Sequence, residues 1–141
     1  MADSEVSELS KTMIQTPKSI LIVLNQIYEL EQKIKKHGDP ANLSRNVSKM
    51  KNALVEEGLP VLDAGSGQLR RIGFAYENPM GQSVNETRTD LDFTISGTGT
   101  ENLVVVEVIK PIIRAISRDS VGEFSNIVQK GIVIVESGKE Q

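Results

Sequence analysis

The 141-residue sequence has no cysteine, no tryptophan and a single histidine. Without Cys there is no disulfide, no thiolate nucleophile and no Cys-based zinc site. With His37 as the one imidazole, a His-based hydrolase triad has only one place to form. Three Phe and two Tyr leave few rings for stacking bases or sugars. The longest apolar run, SILIVL at Ser19–Leu24, is far short of a membrane span. The first residues are acidic and polar and lack the basic region of a signal peptide. These absences predict a cytoplasmic protein with no membrane partner, so Asn42-Leu43-Ser44 is a chance sequon.

No excess of one charge dominates. Residues 1–60 are balanced, and residues 61–141 carry the whole formal charge of −3. Nucleic acid is therefore not expected as a ligand, because there is no excess of cations to displace counterions from phosphate. What the chain does contain, 38% hydrophobic and 25% charged residues, suffices for one packed domain with an aliphatic core.

Two amphipathic helices are expected first, after a polar arm over residues 1–15. Thr16-Pro17 supplies a cap and a first-turn proline, and Ile20, Leu24, Ile27 and Ile34 recur at helical spacing up to the stop at His37-Gly38. Asp39-Pro40 restarts the chain, and Leu43, Val47, Met50 and Leu54 follow at four-three-four spacing before Gly58. Each helix is expected to run about 18–20 residues. Their eight aliphatic residues predict a homodimeric four-helix bundle; packing of the hairpin on its own chain's sheet is the alternative.

Ala64 to Gly67 reads as a flexible connector, and Leu69 to Phe74 as the end of a short helix turning at Gly73. The period then changes to two. Leu91, Phe93 and Ile95 alternate with polar residues, and Leu103 to Ile109 is a β-branched strand continuing past Pro111 through Ile112 and Ile113. After a polar loop over Ser117–Ser125, Ile127-Val128 and Ile132–Val135 form the last strands. The expected fold is thus α+β: an N-terminal helical hairpin forming a dimeric four-helix bundle over residues 16–72, a small C-terminal all-β domain over 73–137, and a short tail.

No catalytic signature emerges. His37 stands in the last turn of a helix, where a donor complements exposed carbonyls. Asp90 and Asp92 share a strand face, either as solvated carboxylates or as a seat for magnesium in a small metal-dependent enzyme. Gly97–Asn102 lacks the third glycine and the following helix of a dinucleotide loop. Gly65-Ser66-Gly67 lacks the pattern of a nucleophile elbow. Arg70-Arg71 reads as solvated cations on a helix. The remaining reading is a non-enzymatic binding protein, with no metal and no cofactor.

Two stretches resemble the GrpE family, the nucleotide exchange factors of DnaK-type chaperones. Leu69-Arg70-Arg71-Ile72-Gly73-Phe74 and Asn78-Pro79-Met80-Gly81-Gln82 are similar to the family's turn and the segment after it. Val105-Val106-Glu107-Val108-Ile109 and Ile127–Val135 are similar to its β-domain strands. The family's His-Glu-Ala falls at Thr89-Asp90-Leu91, without the His, and its very long N-terminal helices have no counterpart ahead of Pro17. The resemblance implies a co-chaperone whose β-domain docks on a DnaK-type ATPase domain and favours ADP release by binding the open cleft better than the closed one. It implies Met80, Val84, Ile109, Lys110 and Val135 as chaperone contacts. A dimeric adaptor that binds another protein is the alternative.

Overall fold

A computed structural model describes residues 16–63, 65–118 and 121–138. The expected arm over 1–15 and residues 139–141 of the tail lie outside them. Two helices, α1 (Lys18–His37) and α2 (Leu43–Glu56), precede eight strands. These are β1 (Leu59–Asp63), β2 (Gln68–Glu77), β3 (Ser83–Val84), β4 (Leu91–Ile95), β5 (Leu103–Lys110), β6 (Ile112–Arg118), β7 (Glu123–Gln129) and β8 (Gly131–Ser137). One sheet has the order β1-β2-β6-β7 and the other β3-β5-β8-β4. The chain is therefore mostly β, which corrects the expected four-helix bundle with a small C-terminal β-domain.

The correction begins with the helices themselves. The stripe assigned to dimerisation is spent largely inside the chain: Ile20, Leu24, Ile27 and Val47 are buried, and Ile34 and Leu54 are half-buried. Leu43 and Met50 remain exposed, as do Ile22, Val23 and Leu30 on α1. The centre of the hairpin's apolar face is met within its own chain, the ordinary arrangement for amphipathic helices of this length. Lys51 and Glu31 bridge α2 to α1 at 2.8 Å. Gly38, at φ 87°, ends α1 and donates its N–H to Ile34. Asp39 caps α2 from a distance, its carboxylate accepting the N–H groups of Leu43 and Ser44, so the helix starts at Leu43, beyond Pro40, and runs 14 residues. The Ser44 hydrogen bonds hold the Asp39 carboxyl below the usual carboxylate range.

Residues 69–74, expected as a helix end, are strand. Gly73 serves close approach: a Cβ built there would stand 2.5 Å from the Val55 carbonyl oxygen, so the end of α2 lies directly against β2. Gly58, at φ 64°, is equally confined, its built Cβ 2.3 Å from the Ile72 oxygen. Ile112 and Ile113 do not continue β5; they open β6, which lies in the other sheet between β2 and β7. Pro111 marks the switch, because it has no N–H to carry a ladder onward.

The chain divides into two compact units, Met1–Ala75 with Ala115–Ser125, and Tyr76–Arg114 with Asn126–Gln141. The boundary falls within β2, not at the expected 72/73 junction after a helical region. In the first unit the buried set includes Leu24, Val47, Val61, Ile72 and Phe74. In the second, Val84, Leu91, Leu103, Val105, Ile112, Val133 and Val135 form one core, with Phe93 and Val108 against it.

Candidate functional site

Most of the polar groups singled out in the sequence are consumed by structure. The Arg88 guanidinium grips Asp90 with two bonds of 2.9 Å and reaches Gln82 at 2.8 Å, and Arg114 joins Asp90 at 3.2 Å and Glu77 at 3.3 Å. The Arg88 hydrogen bonds hold the Asp90 carboxyl below its ordinary range. This network staples the loop between β3 and β4. Asp90 is thus unavailable to a cation, and Asp92 faces Lys130 at 3.8 Å. No group of three His, Asp or Glu that could hold a metal exists among the described residues.

Arg70 is on a strand, and it is engaged: it binds Asp63 at 3.4 Å and the Ser117 hydroxyl at 3.0 Å. Burial opposes ionisation of Asp63, but the Gly65 N–H, Ser66 and Arg70 outweigh it and lower the carboxyl's pKa. Arg71 donates to the Glu57 carbonyl. His37 is exposed in the last turn of α1.

Exposed aliphatics remain on the helical hairpin, at Ile22, Val23, Leu30, Leu43 and Met50, and on one face of the β3-β5-β8-β4 sheet, where charged residues of both signs flank them. On β8, Val133 and Val135 point into the core, so Ile132, Ile134 and Glu136 point away from it. On β4, Asp92 and Thr94 share that exposed side beside Ile132 and Ile134. On β5 the ladder slips twice. Val105 pairs with Val135 but Glu107 pairs with Ile134, and Val108 pairs with Val133 but Lys110 with Ile132. Two residues then stand opposite one at each slip, Val106 with Glu107 and Ile109 with Lys110, and all four are exposed.

The bulges thus place two additional aliphatic side chains in solvent. Val106 is 42% exposed, Ile109 55% and Ile132 37%, with half-buried Ile134 among them. The register makes two cross-strand rows, Lys110–Ile132–Asp92 and Glu107–Ile134–Thr94. Each has an aliphatic centre and polar flanks, the anatomy of a protein-binding patch. The bulges also lie past the stretch of β5 that β3 pairs, where β8 is its strand partner among the described residues. β3 pairs with Leu103 and Val104, and Gly81 and Gln82 exchange bonds of 3.0 Å with Val105, but the bulged stretch extends beyond them. An irregular edge of this kind resists indiscriminate strand pairing.

Of the five residues implied as chaperone contacts, Ile109 and Lys110 lie on this face, and Met80 is 51% exposed in the loop before β3. Val84 and Val135 do not present a surface: they are 5% and 0% exposed within the core. Val106, Ile132 and Ile134 belong to the face and were not singled out from the sequence. Their signal is the alternation along Ile132–Val135, which assigns one of each neighbouring pair to solvent once the other is in the core.

No described helix is long and apolar enough to cross a membrane. No protein-family model, curated protein or solved structure matches the chain.

Proposed function

We propose that the protein is a non-enzymatic binding protein that docks another protein on the exposed β5-β8-β4 face. The observation that supports this is the cluster of Val106 and Ile109, placed in solvent by two bulges, with Ile132, placed there by strand alternation, all flanked by charges of both signs. The absence of cysteine fits a cytoplasmic location.

The residue resemblance in 69–82 and 104–135 makes a DnaK-type ATPase domain the first partner to test, with Met80, Ile109 and Lys110 as its exposed contacts. An exchange factor of this kind works by differential affinity. Moving a closed cleft from 1:99 to 99:1 open needs about 5.5 kcal/mol of preference for the open form. A desolvated aliphatic centre contributes to such a difference more than rim charges do. The test is the release rate of a fluorescent ADP analogue from a purified DnaK-type chaperone, with wild type and with Ile109→Asp. Acceleration by wild type and its loss in the variant support the exchange reading. Absence of both acceleration and binding removes the chaperone as partner.

A further inference from the structure

We infer that, when no other partner occupies the exposed β5-β8-β4 face, a second copy of this chain does, the two faces stacking about a two-fold axis that lies across the strands between the two rows. The inference rests on that face being a docking surface, and it is carried by the way the face complements itself.

Lys110 and Glu107 form no salt bridge among the described residues, although they carry opposite charges one row apart on the same exposed side. A two-fold axis across the strands, midway between their rows, exchanges the rows. Lys110 of one copy then meets Glu107 of the other, and the same pair forms again on the far side of the axis. In the same operation Ile132 meets Ile134, Ile109 meets Val106, and Asp92 meets Thr94. Every opposed pair is apolar with apolar or opposite or neutral in charge. Glu136, one row further along β8 opposite Val104, falls beyond the paired rows.

The alternative axis along β8 serves less well. It would still pair Lys110 with Asp92, but it would lay Glu136 on its own copy, and like charges brought together in an interface are costly. Lys130 already sits 3.8 Å from Asp92 and remains beside it in the preferred arrangement. Two sheets packed face to face lie about 10 Å apart with strands within about 30° of aligned, close enough for these side chains to interdigitate. Two short rows cover less than the roughly 800 Å² per partner of a standard stable interface, so the dimer is a weak, reversible one.

Sedimentation velocity of the full chain over a wide concentration range tests this, with variants at exposed positions whose melting temperature is checked first. Wild type is expected to form a concentration-dependent dimer. Lys110→Glu and Glu107→Lys are each expected to weaken it by about tenfold or more, because each puts like charges together twice. The double variant Lys110→Glu with Glu107→Lys is expected to restore it. A chain that stays monomeric throughout overturns the inference, as does a dimer indifferent to both single variants or not restored by the double swap. Failure of the docking reading looks different: Ile109→Asp and Ile132→Asp would both leave chaperone binding at the wild-type level.

Discussion

The two faces of the β3-β5-β8-β4 sheet are made from the same strands and share β-branched aliphatics, yet they differ in what surrounds those aliphatics. Val133 and Val135 are closed off in a core, whereas Ile132 and Ile134, their immediate neighbours, stand on the other side among Glu107, Lys110, Asp92 and Thr94. The difference is that an aliphatic side chain stabilises the fold only where other apolar groups meet it, and elsewhere it is free to meet another molecule. Period-two alternation distributes the residues, but the two bulges decide how many aliphatics reach the exposed side.

Substitutions separate the faces most sharply where charge enters the core. Val135→Asp is expected to unfold the protein, a loss above about 4 kcal/mol, because a carboxylate fully buried among Val105, Leu103 and Val133 has no partner; loss of the cooperative thermal transition would show it. Ile132→Asp, three residues earlier on β8 and on the opposite face, should keep that transition. Val133→Ala, which deletes two buried methyl groups, is expected to cost about 2 kcal/mol in urea denaturation. Gly131→Ala is expected to cost about 1–3 kcal/mol by overpacking, since its Cβ would lie 2.8 Å from Leu91 Cδ2 and 3.0 Å from Ile112 Cγ1. Ile132→Ala should change stability by no more than about 0.5–1 kcal/mol while weakening any association through the face.

Acid provides a further contrast, because Asp90 is a carboxylate held by two guanidinium groups, those of Arg88 and Arg114. Its pKa is lower folded than unfolded, so it contributes stability above the ordinary value of 3.8 and loses that contribution as pH falls through the folded value. Asp90→Asn is therefore expected to flatten the acid limb of a stability-versus-pH curve below about pH 4, as measured by urea denaturation at successive pH values.

How much of this was legible depended on whether the local pattern had one period. The stripes of α1 and α2, the stop at Gly38 and the alternation of β4 and β8 were all readable. The destination of the helical stripe was not, because an amphipathic face does not say whether it meets its own chain or another. β2 was hidden by Arg70-Arg71 and Gly73, which break the alternation: Arg70 is there for Asp63 and Ser117, and Gly73 for the Val55 carbonyl. The switch of sheets at Pro111 was invisible because Ile112 and Ile113 continue the same composition. The site was half legible. Ile109 and Lys110 came from the family resemblance, but in the run Val104–Ile109, aliphatic except for Glu107, composition cannot distinguish an inserted residue from a paired one.

The paired bulges also have an arithmetic of their own. Along β5 the core side falls on odd-numbered residues at Leu103 and Val105, passes to even at Val108, and returns to odd at buried Pro111. A single inserted residue reverses the parity of everything after it, and a second restores it. Val106 and Ile109 are therefore removable together or singly: each deletion would turn one bulge into a regular ladder step, leave the side presented at Pro111 unchanged and take away one exposed aliphatic. From Leu103 to Lys110 the strand thus spends eight residues on the six of Ile132–Ser137, and the two it has to spare are the ones the exposed face displays.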